Sequence, residues 1–303
     1  MVASGTSGAG RGPRSAEDSG ATVAGESAGP GGNAGSCGFD PDKPSPARVY
    51  DYLLGGKDNF AADREAAAKL VEALPDAARV AKANRAFLAA AVRYVASRGI
   101  DQYVDIGAGL PTSPNVHESA REAVPDARVA YVDNDPLVVT HARALLATDD
   151  LVTVINGDVR EYEGILQAPQ LAALIDLAEP VCVLFVSILH FLHAEAADAA
   201  VAAFRERMAP GSYLVISAGH GTDRNIPARD QIQAAYGSDT VLTGRSASEF
   251  ASYFGDFELV PPGIVPITEW PLDTVDPSQS PPLRLVPAPT SAGMLAGIGR
   301  KRL

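Results

Sequence analysis

Cysteine is scarce in this sequence, which contains only two such residues. Cys37 lies in a stretch rich in glycine and serine, and Cys182 lies in the apolar run 181–186. Two isolated cysteines give neither the spacing of a disulfide framework nor that of a zinc site. We therefore expect one thiol in a tail, one thiol in the hydrophobic core, and no bound metal.

Positive charge is also low. The chain has 25 lysine and arginine residues against 37 aspartate and glutamate residues, a formal net charge of -12, and no run of basic residues. An acidic protein is a poor electrostatic match for nucleic acid or for an anionic membrane surface. The composition therefore favours a small-molecule partner over nucleic acid or membrane.

Long apolar segments are missing as well. A helix that crosses a bilayer needs about 20 consecutive apolar residues, and no run in the sequence reaches that length. The opening residues 1–5 are not followed by the apolar segment of a secretory signal. We therefore expect a cytoplasmic protein.

The first 38 residues differ in composition from the rest. They are mainly glycine, serine and alanine with scattered charges. Such a segment buries too little apolar surface to offset the entropy lost on ordering, so residues 1–38 are predicted to be a disordered tail.

Order is expected to begin near Phe39 with a helical region over residues 39–99. Ser45 and Pro46 form a helix start, because serine is a good N-cap and proline suits the first helical position. Hydrophobic spacing and helix stops predict three helices, over residues 46–54, 61–73 and 76–98.

From residue 100 to 303, apolar strands and helices alternate. The predicted strands cover residues 102–106, 128–132, 152–155, 181–187 and 212–217. Two further strands are predicted near 257–267, where Pro-Pro-Gly interrupts the strand, and near 294–299. One helix, over about 162–177, is predicted after the third strand. Continuous apolar strands separated by helices are typical of a parallel sheet covered on both faces. We therefore predict an α/β fold: a Rossmann-like, seven-stranded, mostly parallel sheet with an N-terminal helical lid.

The first strand ends in the motif Asp105-Ile106-Gly107-Ala108-Gly109. Glycines allow the backbone to approach a ligand closely and to adopt angles that a Cβ would forbid. The second strand ends at Asp133, and an acidic residue at that point can accept hydrogen bonds from both hydroxyls of a ribose. A nucleotide-like ligand at the carboxyl edge of the sheet is therefore expected.

The same motif weakens the case for a nicotinamide dinucleotide. The dinucleotide fingerprint needs a third glycine for close packing of the following helix. Here Gly109 is followed by Leu110, Pro111 and Thr112 instead.

Asp-x-Gly-x-Gly after a strand resembles class I S-adenosylmethionine-dependent methyltransferases. Three segments, one of which contains this motif, resemble a bacterial methyltransferase family first grouped as a domain of unknown function, DUF574. They are Pro46–Phe60, Asn84–Phe87 and Asp105–Thr112.

The resemblance implies S-adenosylmethionine as cofactor and assigns residues to it. Gly107 and Gly109 would approach its methionine part, Asp105 its ammonium, and Asp133 its ribose. The full set of cofactor-binding candidates is Asp105, Gly107, Ala108, Gly109, Pro111, Thr112, Asp133, Asn134, Asp158, Val159, Ser187, Lys57 and Asn59.

Several of these residues have a simpler alternative role. Asp133 can cap a turn, although we favour ribose binding for it. Asp135 precedes Pro136 and is expected to cap the next helix. Asp158 is expected either to contact the adenine or to form an Asx turn, and the sequence does not separate the two.

The loop after the first predicted helix carries Lys57 and Asn59 behind Gly55 and Gly56. An ordinary solvated loop is one interpretation. The other is that the N-terminal helices close over the sheet as a lid that excludes water, so that replacing Lys57 and Asn59 by alanine would weaken cofactor binding or turnover.

The sequence identifies no definite catalytic residue. His190 is a candidate general base because the pKa of a free histidine lies near neutrality, and Tyr52 is a second candidate. His190 and His193 have a helical metal-binding spacing, but two histidines are too few to predict a metal.

The leading prediction is methyl transfer from S-adenosylmethionine to a small molecule by direct in-line displacement. Two alternatives stay open: a non-catalytic protein that binds the cofactor, and a nicotinamide-dependent oxidoreductase. The sequence predicts no oligomeric state.

Overall fold

The structure is a computed structural model, and it describes residues 39–221, 226–237, 240–272, 284–285 and 293–303. The predicted tail, including Cys37, and most of the Pro/Ser-rich stretch 273–289 lie outside these residues. The described chain belongs to one compact unit, Cys37–Leu303. None of its helices has both the length and the apolar character that a membrane span needs.

Nine strands of the described chain form one sheet, in the order β3-β2-β1-β4-β5-β9-β7-β8, with β6 paired to β9. Their bounds are β1 Gln102–Ile106, β2 Arg128–Asp133, β3 Val152–Asn156, β4 Cys182–Val186, β5 Tyr213–His220, β6 Glu258–Leu259, β7 Gly263–Pro266, β8 Arg284–Leu285 and β9 Gly293–Arg300.

The helices are α1 Pro46–Leu54, α2 Ala61–Ala73, α3 Ala77–Ser97, α4 Val116–Arg121, α5 Pro136–Leu145, α6 Tyr162–Leu166, α7 Pro169–Leu174, α8 Ala194–Arg207, α9 Ile226–Tyr236 and α10 Ala247–Ser252.

The predicted α/β fold is confirmed. Strands β1 to β5 are mutually parallel, and β9 runs antiparallel to both β5 and β7. Seven strands, in the spatial order β3-β2-β1-β4-β5-β9-β7, form the expected sheet. The two-residue strands β6 and β8 add to it. The carboxyl ends of the parallel strands therefore meet along one edge, where ligands bind in open α/β sheets.

Two hydrophobic clusters cover the two faces of this sheet. One contains Phe87 and Val92 of α3 together with residues of α4 and α5. The other contains Phe204 of α8 and Phe250 of α10. The free Cys182 is buried, as expected for a core thiol. Strands buried on both faces explain why the sequence shows continuous apolar runs there.

Two element predictions need correction. The helix predicted over residues 162–177 is divided into α6 and α7, because Pro169 cannot continue a helix and instead occupies the first turn of a new one. Strand β5 continues to His220, past the predicted end at Ser217, because it pairs with β9 along its whole length. The strand predicted over 257–267 is interrupted at Pro261-Pro262, as its sequence predicts, which leaves β6 and β7.

The N-terminal helices are joined by a buried ion pair. Arg48 of α1 and Asp63 of α2 are 2.9 Å apart, and their side chains are 3% and 0% exposed. Asp63 also accepts hydrogen bonds from the backbone N–H groups of Ser45 and Phe60. The carboxylate therefore holds the start of α1, the start of α2 and the Arg48 guanidinium together.

Candidate functional site

One cavity of about 910 Å³ runs along the carboxyl ends of β1 to β5. The helices α1, α2, α3 and α9 contribute the walls opposite the sheet edge. Its volume is at the upper end of the roughly 300–1,000 Å³ that is usual for small-molecule sites. Ten of the cofactor-binding candidates line it: Asp105, Gly107, Ala108, Gly109, Thr112, Asp133, Asn134, Asp158, Val159 and Ser187.

The glycine turn after β1 is held against the end of β2. Gly107 and Ala108 donate their N–H groups to the carbonyl oxygen of Val132, at 2.8 and 3.2 Å. Gly107 has φ 73°, and a Cβ at that position would lie 2.8 Å from the side chain of Ile188. Any larger residue there would therefore be strained and would collide with the chain after β4.

Asp105 is a buried carboxylate with no hydrogen-bonding side-chain partner among the described residues. It is 4% exposed and lines the cavity. Burial raises its pKa from 3.8 to about 7, and the nearby Arg85 guanidinium opposes that rise. A buried carboxylate facing a cavity is suited to a cationic ligand, because the ligand supplies the charge that the protein leaves out.

Asp133 connects the glycine turn to the start of α5. Its carboxylate accepts hydrogen bonds from the N–H groups of Gly109 and Asp135, both at 2.9 Å. Burial raises its pKa to about 6, while these two hydrogen bonds oppose the rise. Each oxygen has a second lone pair, so the carboxylate can still accept ribose hydroxyls.

Asp135 has the capping role expected from the sequence. Its Oδ1 accepts from the N–H of Leu137 at 2.8 Å. Its Oδ2 accepts from the Ser45 hydroxyl at 2.6 Å, across 90 residues of chain. Ser45 precedes α1 but does not cap it with its side chain. The hydroxyl instead ties the N-terminal helices to the sheet edge.

Asp158 follows β3 and is held by its neighbours. Its carboxylate pairs with Arg160, accepts from the Arg160 N–H as in an Asx turn, and accepts from the Asn134 amide at 3.0 Å. The Arg160 guanidinium is the main reason that its pKa falls to about 2. Asp158 therefore forms the predicted Asx turn. It also lies on the cavity wall, as the predicted contact with the adenine requires.

Ser187, at the end of β4, has a left-handed backbone with φ 61°. Such a conformation costs a non-glycine residue roughly 1–2 kcal/mol. The Ser187 N–H donates both to the Ser217 carbonyl and to the Ser217 hydroxyl, at 2.9 and 3.1 Å. Strained residues held in this way cluster at functional sites.

A chain of buried polar groups links Ser217 to the helical lid. The Ser217 hydroxyl donates to Asn84 Oδ1 at 2.6 Å, Asn84 Nδ2 donates to the Tyr50 hydroxyl at 2.8 Å, and Tyr50 donates to the Ala81 carbonyl at 2.9 Å. Sequence reasoning missed these contacts, although Tyr50 and Asn84 lie in segments that resemble the methyltransferase family. The available signal was Asn84, a polar residue on the apolar face of α3.

Four predicted site residues do not line the cavity: Pro111, Tyr52, Lys57 and Asn59. The Asn59 amide donates to Asp51 Oδ2 at 2.8 Å and thereby organises its own loop. Lys57 is exposed, and Tyr52 is 42% exposed. The helix that precedes this loop does reach the cavity, because Tyr50 and Leu53 of α1 line it.

His190 follows β4 and lines the cavity. The described residues contain no group of three or more side chains able to hold a metal. Burial lowers the pKa of His190 to about 4. His220 also lines the cavity, and its Nδ1 lies 2.8 Å from the Arg245 carbonyl oxygen. His220 is the last residue of strand β5, although its position beyond the predicted end of that strand favoured a loop.

Comparisons with known proteins agree with this geometry. A family model described as S-adenosyl methyltransferase matches residues 33–302. No curated protein matches the chain.

Two solved structures are similar over nearly their whole length. A candidate methyltransferase of Thermobifida fusca is 42% identical with a TM-score of 0.75, and the match covers 88% of this chain and 97% of that one. A DUF574-family protein of Streptomyces avermitilis is 32% identical with a TM-score of 0.73, over 86% of this chain and 99% of that one.

Proposed function

The chain belongs to the S-adenosyl methyltransferase family, and on this premise we propose that it methylates a small molecule by direct in-line displacement. The family match and the similar structures make it an S-adenosylmethionine-dependent methyltransferase. The class of acceptor, the geometry of transfer and the roles of individual residues are the proposal.

The observation that carries the proposal is the joining of three features in one cavity: the unpartnered Asp105, the glycine turn and Asp133. In this proposal Asp105 binds the ammonium group of the cofactor. Gly107 and Gly109 leave room for its methionine part, and Asp133 accepts its ribose hydroxyls. Asn134, Asp158 and Val159 form the wall for the adenine.

A small-molecule acceptor is supported by charge and by shape. The protein carries a net charge of -12, which disfavours nucleic acid. The cavity is walled by helices on the side opposite the sheet edge, and such a space suits a molecule that enters whole.

Residues 39–99 act in this proposal as a lid on a methyltransferase domain of residues 100–303. Ser45 bonds to Asp135, and Asn84 bonds to Ser217. These two contacts hold the lid against the sheet at the start of α5 and at β5. A fixed lid excludes water and restricts the orientation of the acceptor.

When bound, S-adenosylmethionine supplies a methyl group on a positively charged sulfur, which needs no metal to activate it. The chain's own contribution is to bind, orient and desolvate. Positioning of two reactants alone can contribute roughly 7–11 kcal/mol to lowering a barrier.

Calorimetry tests the cofactor assignment. S-adenosylhomocysteine, the product of transfer, is expected to bind, and NADH and NADPH are not. Binding of a nicotinamide nucleotide alone would refute the proposal in favour of an oxidoreductase, which none of the comparisons supports.

Turnover separates an enzyme from a cofactor-binding protein. The protein is incubated with methyl-labelled S-adenosylmethionine and a fractionated small-molecule extract. Label is expected in a low-molecular-weight fraction. Label found only in protein or nucleic acid would refute the small-molecule acceptor.

A further inference from the structure

Three aromatic rings stand in a row on the cavity wall beyond the end of β4. His190 and Phe191 have ring centroids 4.3 Å apart, and Phe191 and Tyr236 have centroids 5.6 Å apart. All three side chains line the cavity. They follow β4 or lie on α9, whereas the cofactor candidates Asp105, Asp133 and Asp158 follow β1, β2 and β3.

The surroundings of this row are apolar. A third hydrophobic cluster, separate from the two sheet faces, contains the row's Phe191 and Tyr236. Its members that also line the cavity include Leu53, Leu70, Leu74, Ile232 and Leu242. An apolar wall with aromatic rings binds flat apolar molecules well, because such rings bury large areas and stack on other rings.

The charged residues on the cavity wall lie elsewhere or have other partners. Asp51 accepts from the Asp58 N–H and from Asn59, and Asp76 pairs with Arg79. The two arginines that line the cavity also have partners: Arg85 donates to the Pro114 carbonyl at 2.9 Å, and Arg160 pairs with Asp158. A carboxylate on the acceptor at the aromatic row would therefore be desolvated without compensation by these arginines.

The His190 ring has one definite hydrogen bond. The N–H of Gly219 in β5 donates to Nδ1 at 3.2 Å. The approach is close because position 219 has no side chain: a Cβ there would lie 3.2 Å from the His190 Cβ. Nδ1 therefore carries no proton, and the proton of the neutral ring is on Nε2.

Nε2 has no hydrogen-bonding partner among the residues that the structure describes. The half-buried ring lines the cavity, so a ligand there can supply the partner. The low pKa of about 4 that burial gives His190 agrees with a neutral ring at physiological pH.

Resting on the proposed function, we propose that the acceptor is a flat, largely apolar molecule without a carboxylate that receives a hydrogen bond from Nε2–H of His190. His190 then orients the acceptor and does not deprotonate it. As a base, Nε2 would have to lose its proton and Nδ1 would have to gain one. The Nδ1 proton would then face the Gly219 N–H.

The transfer step is consistent with this role. A lone pair of the acceptor atom forms the bond to the methyl carbon, and the electron pair of the carbon–sulfur bond stays on sulfur. The acceptor's proton goes to water, so the acceptor atom is an amine nitrogen or a hydroxyl acidic enough to ionise in solution.

Nitrogen-15 NMR of the histidine rings, with and without S-adenosylhomocysteine, tests the tautomer without any turnover. His190 is assigned by the signal that His190→Asn removes. The expected result is a protonated Nε2 and an unprotonated Nδ1 from pH 5 to 8. A ring protonated on Nδ1, or a cationic ring at pH 6, would overturn the inference.

The same samples test the acceptor class with hydroxyquinoline as a neutral probe and quinolinecarboxylate as its charged control. Hydroxyquinoline is expected to shift the Nε2 signal, and the carboxylate is not. No response to the neutral probe, or an equal response to both, would overturn the inference. Calorimetry with S-adenosylhomocysteine reports separately on the proposed function.

A matched pair of variants separates the roles of the two ring nitrogens. His190→Asn keeps an acceptor for the Gly219 N–H but removes the donor at the Nε2 position. His190→Gln keeps a donor there. We expect His190→Gln to bind hydroxyquinoline within about threefold of the wild type and His190→Asn to bind it about 3- to 12-fold more weakly. Equal affinities for the two variants would contradict a donor role.

Discussion

Replacing Asp105 by asparagine should have opposite effects on stability and on ligand binding. Asp105 is buried at the cavity edge, and burial raises its pKa from 3.8 to about 7. The folded protein therefore binds one more proton than the unfolded chain between pH 4 and pH 7. Stability falls as the pH rises through this range, and the full penalty is present above pH 7.

The size of this penalty follows from the two pKa values. Each pKa unit corresponds to about 1.4 kcal/mol, so a rise of about three units amounts to about 4 kcal/mol at pH 8. Asparagine keeps the shape but removes the charge. Because its amide still lacks a hydrogen-bonding side-chain partner, we expect a gain of about 1–4 kcal/mol in unfolding free energy.

Thermal unfolding without ligand, at pH 5 and at pH 8, measures this gain. For a protein of this size each kcal/mol shifts the Tm by roughly 2–4 °C. The Asp105→Asn variant should therefore unfold several degrees above the wild type at pH 8 and show a smaller difference at pH 5.

S-adenosylhomocysteine binding should change in the opposite direction. A hydrogen bond to a charged group contributes about 1.5–3 kcal/mol, so the affinity should fall roughly 10- to 150-fold. For the stability measurement, Asp158→Asn is the matched control, because Arg160 lowers the pKa of Asp158 to about 2. Removal of the Asp158 charge should therefore lower the Tm at pH 8. An Asp105→Asn protein that unfolds earlier at pH 8 and still binds the ligand like the wild type would refute the reasoning.

Four further outcomes are expected. The affinity for S-adenosylhomocysteine should fall as the pH drops through about 7 and then about 6, because Asp105 and Asp133 become protonated there. Calorimetry in two buffers should show proton release on binding, and an affinity that does not change with pH would contradict this expectation. Asp63→Ala leaves the Arg48 charge buried without its carboxylate, so denaturant unfolding should show a loss of about 3–5 kcal/mol. Ser187→Gly relieves a left-handed backbone and should raise the unfolding free energy by up to about 1 kcal/mol; a loss would mean that the residue is not strained. Lys57→Ala should bind S-adenosylhomocysteine within about twofold of the wild type, because a neutral hydrogen bond would contribute more than that, and a larger loss would place Lys57 at the ligand.

Local patterns were sufficient for most secondary structure and for one half of the site. The glycine turn and the acidic ends of β1 and β2 are adjacent in a parallel sheet whenever strands and helices alternate in this way. Asp105, Gly107 and Asp133 could therefore be placed on one edge without a structure. Pro169 carried the signal for the break between α6 and α7, although the hydrophobic spacing on both sides suggested a single helix.

The lid shows where local patterns stop. The resemblance drew attention to the segment Pro46–Phe60, and α1 of that segment lines the cavity. It did not indicate which side chains face inward. Lys57 and Asn59 follow the left-handed Gly55, which turns the chain away, and Asn59 bonds within its own loop.

The sequence alone determined the fold class, the ligand edge and the family, because strand periodicity, glycine requirements and motif spacing are local properties. The tertiary structure decided which distant groups meet: Ser45 with Asp135 across 90 residues, and Ser217 with Asn84 across 133. It also decided the charge states. The pKa of a carboxylate or an imidazole depends on burial and on neighbours brought by packing. Asp105 could therefore be predicted from the sequence as a ligand-binding residue, but its raised pKa and the position of the proton on the His190 ring could not.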